Sequence, residues 1–336
     1  MGVLQEPPGG PHAKRVRPAP GPSAPSPSFD RRFGWTVFGL LAAAIVFSTW
    51  LHHFQPQVLC VPSNKDLSSW QNPSLDQTTL ADRLTPEERK VLLEQGIPGS
   101  RDAGLLLFGD LLALVLGWLC FAHARRHFGF WMASCFLVGS FVFTGLEESM
   151  WILLGRFATA GSVNALGEPV YGTYWFTKGL LWFLETPVTA CLGWFYIAYA
   201  CVLVAGKVFP RRGLLGRAAV GGLVAMGIDL WLDPVVTSPE MVNWVWAKGD
   251  LLLLFGIPHT NFVGWFLLIF LFAIYWERLP VLEAKWGRPK ASAVFFLLLV
   301  GTEIAILVFF LLWMSSLGHL LSALGVRQSL RIPAGW

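Results

Sequence analysis

Charge is what this sequence has least of. Only 14% of its 336 residues are charged while 54% are hydrophobic, and the mean hydropathy is +0.54. A soluble domain carries about a quarter charged residues, so a water-soluble globular fold is excluded. Paired cysteine is also missing. There are five cysteines, an odd number, and Cys120, Cys135, Cys191 and Cys201 fall inside apolar runs where they act as small hydrophobes. With no Cys-x-x-Cys, neither a disulfide framework nor a thiolate metal site is expected. The seven histidines (His12, His52, His53, His123, His127, His259, His319) form no box of the di-iron desaturase kind. No Gly-x-Gly-x-x-Gly opens a strand and helix, which removes a flavin-binding domain. The last apolar run, 291–314, has no lysine, which removes a retinal Schiff base. A formal charge of +4 is too modest to imply nucleic acid. No internal repeat is recognised by eye, so an inverted-repeat transporter gets no support.

What is present reads as an all-α, polytopic integral membrane bundle. Residues 1–33 hold eight prolines with Lys14, Arg15, Arg17, Arg31 and Arg32, a composition that reads as a disordered basic tail. Residues 34–336 are then the multi-pass domain. Its first run, Gly34 to Trp50, lacks a following small-residue cleavage site and reads as a retained anchor. A polar loop over 54–103 contains Thr85-Pro86-Glu87-Glu88, a capping box with proline at the first helical position. One short helix is expected there, closing at Gly96-Ile97-Pro98. Further spans are expected at 104–123, 129–154, 179–204, 218–234, 251–276 and 291–314, making about seven. Arg125/Arg126, the cluster Lys207, Arg211, Arg212, Arg217, and the run Arg278, Lys285, Arg288, Lys290 fall on the same side as the tail. The positive-inside rule places that side, and the amino terminus, in the cytoplasm. The loop over 54–103 is then extracytoplasmic, and the expected location is the cell membrane.

This topology collects acids in one leaflet: Asp110, Glu147, Glu148, Glu185, Asp229, Asp233 and Asp250 all fall in the non-cytoplasmic half. Carboxyl groups at that depth are expensive and by default mark a functional cavity. Asp229 and Asp233 are four apart and share a helix face, with Pro234 expected to end the helix. Against a catalytic role stands a cap, or a pairing with Lys248 or Arg156. Glu147 and Glu148 diverge on a helix; Glu148 is expected to point inward and Glu147 to serve as an interhelical hydrogen-bonder. Glu185 precedes Thr186-Pro187, where a mid-span proline frees a carbonyl, and it can be repairing the helix or working in the site. Asp110 and Glu303 are expected to be structural. His259 sits in Gly256-Ile257-Pro258-His259-Thr260-Asn261, expected as a break in the middle of the sixth span, with Asn261 at the cavity wall. Trp194 and Trp265 lie too deep for an interfacial belt. Tyr174 and Trp246 are candidates for substrate contact, although Trp244 and Trp246 also fit a belt. The Asp-x-x-x-Asp pair is similar to magnesium sites of membrane prenyltransferases, but a second aspartate-rich motif is missing. What remains is acid chemistry without metal or cofactor.

The run Asp229…Leu232-Asp233-Pro234, then Trp244-x-Trp246, Gly249 and Gly256-Ile257-Pro258-x-x-Asn261-Phe262-x-Gly264-Trp265 resembles the signature of the carotenoid biosynthesis protein family. That family includes carotenoid 1',2'-hydratases and bisanhydrobacterioruberin hydratase. Glu148, Tyr171-Gly172-Thr173-Tyr174 and Pro187…Trp194…Tyr199 are similar to its other motifs, and the likeness covers roughly 130–278. Two departures stand out. The tyrosine element follows an altered, longer connection, and Glu185-Thr186-Pro187 replaces a Gly-Val-Pro-like segment. The resemblance implies acid-catalysed addition of water to the terminal double bond of an acyclic carotenoid end, a hydro-lyase activity. The implied proton donor is Asp229 or Asp233, with Glu148 orienting water and Glu185 as a further catalytic candidate. Asn261 and His259 would hold the water, and Trp194 and Trp265 would stabilise a cation. Implied partners are a lipophilic carotenoid, membrane lipid and other carotenoid enzymes. The rival readings are a cyclase or prenyl-transferring enzyme, and a proton-coupled transporter.

Overall fold

Apolar runs of this length can satisfy their backbone in lipid only as helices, and helices dominate the fold. The structure, a computed structural model, describes residues 27–55, 75–76, 78–99, 102–159, 174–246 and 253–324. The tail through residue 26, Tyr171-Gly172-Thr173, Lys248, Gly249 and Asp250, and the side chain of Arg156, lie outside the described residues. Among the described residues, five helices are long and apolar enough to cross a membrane. They are α1 (Pro27–Phe54), α3 (Ala103–Ser140) continuing through a π-helical turn (Phe141–Gly145) into α4 (Leu146–Thr159), α5 (Val188–Val208), α6 (Leu214–Val236) and α7 (His259–Ala323). The short helix expected after Thr85 is present as α2 (Pro86–Gln95): Thr85 Oγ1 accepts the Glu88 N–H, Glu88 accepts the Thr85 N–H, and Gly96 (φ 81°) ends it.

Two of the five are broken. Gly129 (φ 83°, ψ 166°) interrupts α3 and Gly287 (φ 74°, ψ 161°) interrupts α7. A residue with a Cβ rarely adopts such dihedrals, so glycine marks where each chain turns back. Both breaks lie at the same end of the bundle as the start of α1. Arg288 Nη1 meets Asp30 at 2.5 Å and its Nε meets Glu283 at 2.6 Å; Arg217 pairs with Glu277.

The opposite end is a cap of loops and three short antiparallel ribbons. β1 (Tyr174–Phe176) pairs with β4 (Trp244–Trp246), β2 (Trp182–Phe183) with β3 (Thr186–Pro187), and β5 (Leu253–Leu254) with β6 (Ile257–Pro258). The fourth and sixth spans therefore begin later than expected, at Val188 and His259. The stretches 182–187 and 253–258 are hairpins because their prolines lack an N–H for a helical ladder and the residue before proline is held extended. His259 consequently starts a helix rather than sitting at a mid-span break. Pro234 corrects the other way: α6 runs past it to Val236, ending at Thr237.

The cap is held by an apolar cluster of Leu75, Leu80, Leu92, Ile97, Val242 and Val245. Lys178 ties it together, donating to Pro98 O (2.8 Å) and Met241 O (2.5 Å), and burial lowers its amine to about 8. The unfolded chain then binds more protons between pH ~8 and 10.5, so Lys178 makes stability rise with pH across that window. Lys178→Met is expected to flatten that slope in thermal melts taken at pH 7.5 and 10. Arg83 secures the end of α6. Its Nη1 donates to Thr237 O and Oγ1 (3.3 and 3.0 Å) and its Nη2 to Pro234 O (3.0 Å). A cation there also suits the helix dipole. Arg83→Ala is expected to cost about 2 kcal/mol, read as a lower melting temperature in detergent.

The expectation of no internal repeat is overturned. Lys178-Gly179 matches Lys248-Gly249; then, past the single extra residue Asp250, Leu180-Leu181 matches Leu251-Leu252 and Pro187-x-Thr189 matches Pro258-x-Thr260. Gly193-Trp194-Phe195 likewise matches Gly264-Trp265-Phe266. The preceding helices match as well: Val138-Gly139, Val142 and Gly145-Leu146-Glu147 against Val220-Gly221, Val224 and Gly227-Ile228-Asp229. The backbone agrees. Each copy has a hairpin with the same register, and the turn residues Leu184 (φ 52°) and Phe255 (φ 56°) occupy the same left-handed conformation at the same place. The copies meet across a pseudo-two-fold axis. β1 and β4 pair Tyr174 with Trp246, Trp175 with Val245 and Phe176 with Trp244, a register symmetric about its centre. Lower down, Trp194 meets its counterpart Trp265, centroids 4.0 Å apart and rings tilted by 38°. Equivalent helices run the same way, so this is a parallel repeat.

Candidate active site

The acids gather where the two copies meet. Asp229 and Asp233 project from one face of α6, and both are sealed from solvent (0% and 1% exposed). Asn261, on the first turn of α7, donates from Nδ2 to Asp229 Oδ2 at 2.8 Å and to Asp233 Oδ2 at 2.7 Å. The two carboxyl groups also interact with one another, and Asp233 with the Trp244 indole. Across the axis, Glu148 on α4 accepts from Trp194 Nε1 at 3.3 Å and interacts with Tyr174 and Asp233. Trp194 and Trp265 are buried and cover one another, so no guest fits between them.

Glu148 reaches this position through the π-helical turn. The widened turn inserts about one residue into the helical period, and it is stabilised by local hydroxyls. Thr144 Oγ1 donates to Ser140 O (2.6 Å), while Ser149 and Thr186 both donate to Gly145 O (2.7 and 3.3 Å). Glu147 is thereby turned to the other side, beside Trp151.

Over the acids lies the β1–β4 ribbon. Tyr174 stacks on Trp246 (centroids 4.2 Å) and Phe176 meets Trp244 edge-on (5.6 Å). The Trp244 indole interacts with the Asp233 carboxyl, and the buried indole N–H of Trp246 has no hydrogen-bond partner among the described residues. The ribbon is a roof over the site, with indoles facing carboxyl groups.

The sequence model of the carotenoid biosynthesis protein family matches residues 108–325. This chain belongs to that family. No curated protein and no solved structure matches it at a significant level. The match takes in every helix described above except α1 and α2, and both copies of the repeat.

In this carotenoid biosynthesis protein, most of the candidates named from sequence are brought together: Asp229, Asp233, Glu148, Asn261, Trp194, Trp265, Tyr174 and Trp246. Two are placed elsewhere. Glu185 lies in the β2–β3 turn, not in mid-helix; its carboxyl is 3.8 Å from His52 Nε2, and its N–H donates to Ser149 Oγ at 3.1 Å. His52 stacks on Trp182 and bonds Leu184 O at 2.7 Å, so this group fastens the hairpin to α1. His259, half-buried, accepts from Trp313 Nε1 at 3.0 Å. Asp110 accepts the Leu181 N–H at 3.2 Å, a link between elements.

Glu303 is the acid that sequence reasoning set aside. It is fully buried, and among the described residues neither carboxyl oxygen has a hydrogen-bond partner. The charges it faces are Glu147 and Glu148. The signal was its position: at 1.5 Å per residue, Glu303, Asp229 and Glu148 lie about 24–29 Å along their helices from Gly287, Gly213 and Gly129. All three sit at one depth.

Proposed function

We propose that this protein is a cofactor-independent hydratase, adding water to the terminal double bond of an acyclic carotenoid end to give a tertiary alcohol. The observation that carries the reading is the buried pair Asp229–Asp233, bridged by Asn261, beside Glu148 and under aromatic rings. A carboxyl group of the cluster gives its proton to the less substituted alkene carbon, and the π electrons form the new C–H bond. The neighbouring carbon becomes a tertiary cation, which indole faces stabilise. Water forms the C–O bond, and the proton it sheds passes to a second acid of the cluster, present as the carboxylate. Glu148 and Asp233 are neighbours, which gives that proton a route back. Exclusion of bulk water favours a single, directed capture of the cation.

In this reading α3 and α7 each cross the bilayer twice, turning at Gly129 and Gly287. Seven spans in the cell membrane then leave the amino terminus and the basic turns in the cytoplasm. The carotenoid enters from the lipid, and other enzymes of the pathway hand it over.

The test is expression in a host that accumulates lycopene. The expected result is a new carotenoid heavier by one water. A cyclised product of unchanged mass would support the cyclase reading instead. No altered carotenoid, with transport abolished by an ionophore, would support the transporter.

A further inference from the structure

Glu303 stands on the second half of α7, in the stripe that packs against the other helices. Phe295, Leu299, Ile306 and Phe310 make up that stripe, all at most 3% exposed, and Glu303 interrupts it at 0%. The stripe faces α4, where Phe310 meets the ring of Trp151 (6.0 Å) and Trp151 in turn bonds Glu147. Gly139, just before the π-helical turn, lies against Phe295 and Leu299. Glu303 is thus aimed at the helix that carries Glu147 and Glu148.

The acids differ in what donates to them. Asp229 and Asp233 each accept an amide N–H from Asn261, and Glu148 accepts the indole N–H of Trp194. Donors aimed at a carboxyl oxygen stabilise the anion. Glu303 accepts from no group among the described residues. A bare carboxylate in apolar surroundings, with neither donor nor cation, carries a prohibitive desolvation penalty, whereas the neutral acid has an O–H free to point at a guest. An unpaired carboxyl in mid-membrane is a functional group by default. A purely structural acid would be expected to bond the helix it faces.

We propose that Glu303 is the proton donor of the site, and that the Asn261-bridged aspartates hold and deprotonate the attacking water. This rests on the hydration reading, and it differs from the sequence expectation, which places the donor in the aspartate pair. The steps balance. The Glu303 O–H bond breaks as its proton joins the alkene carbon and the π electrons become the C–H bond. A lone pair of water then joins the tertiary cation, and the proton released goes to Asp229 or Asp233. From there it returns through Glu148 and Glu147 to the Glu303 carboxylate, leaving every acid as it began.

The experiment compares wild type, Glu303→Gln and Glu303→Asp in the lycopene-accumulating host. It reads hydrated product per unit of membrane-inserted chain, and the carotenoid that copurifies with each protein. Wild-type product is the control for the reaction itself; without it the hydration reading fails before Glu303 is tested. Given that product, Glu303→Gln is expected to fall at least 100-fold while still retaining lycopene, and Glu303→Asp to recover part of the activity. Activity within a few-fold of wild type in Glu303→Gln overturns the proposal. So does a Gln variant that loses activity and bound lycopene together, because that is the behaviour of a packing residue.

Discussion

Asp229→Asn and Asp233→Asn, made separately, are each expected to lower hydrated-carotenoid formation by about 10²–10⁴-fold, the range that a positioned acid–base group contributes. The double variant is expected to be no worse than the poorer single one, because two groups that work as a unit do not add. The geometry gives the reason. Asn261 spends both N–H bonds of its amide on the pair, one on each Oδ2. Converting either carboxyl to an amide removes an acceptor of protons; if its NH₂ falls at the former Oδ2, donor also faces donor. Shape is nearly unchanged, so chain abundance in the membrane should stay close to wild type. Product per chain, quantified by chromatography with mass detection, is the measurement. Both single variants retaining full hydration at normal abundance would remove the aspartates from the chemistry.

Much of this site could be read from the sequence because membrane insertion makes polar residues conspicuous. A carboxyl group in an apolar run has few inexpensive explanations, so Asp229, Asp233 and Glu148 stood out without any fold. Charge asymmetry placed them at one end of the bundle, and the structure does put the cap ribbons at the end opposite Arg217 and Arg288. The capping box at Thr85 was equally legible, because its bonds are local to four residues.

What escaped was set by non-local or irregular backbone. The hairpins at 182–187 and 253–258 read as continuations of apolar spans, since hydropathy does not distinguish a buried ribbon from a buried helix turn. That error placed Glu185 and His259 in mid-helix. The π-helical turn at Phe141–Gly145 has no composition of its own, yet it decides which of Glu147 and Glu148 faces the aspartates. The repeat was hidden by one inserted residue, Asp250, and by substitutions at the positions of the polar cluster. Ala190 stands where Asn261 does, Val188 where His259 does, and Trp151 where Asp233 does. Glu303 escaped for another reason. The acids it faces stand on a distant helix, and a single acid among leucines and phenylalanines looks the same whether it is a strut or a proton donor.

The second large effect is expected at a residue with no side chain. A Cβ at Gly222 would stand 2.7 Å from the backbone oxygen of Phe266 and 2.8 Å from its ring, and backbone oxygen in a packed helix cannot step aside. Gly222→Val is therefore expected to force α6 and α7 apart, at about 3 kcal/mol or more. Helix contacts of this kind in membranes depend on small residues that let backbones approach. Activity should fall further than stability, because the same displacement separates Asn261 from the aspartates it bridges at 2.7–2.8 Å. Gly227→Ala is the control: on the same helix, its Cβ would meet nothing within 4 Å, and it should be close to neutral in both readouts. Melting temperature and product per chain, measured on the same preparations, separate the two effects. The repeat sharpens the argument. The residue matching Gly222 in the first copy is Ser140, whose hydroxyl bonds its own helix at Leu137 O, and Ala190 there has no amide to bring near an acid. Close approach is thus found in the copy where an amide on one helix must reach two carboxyl groups on the next.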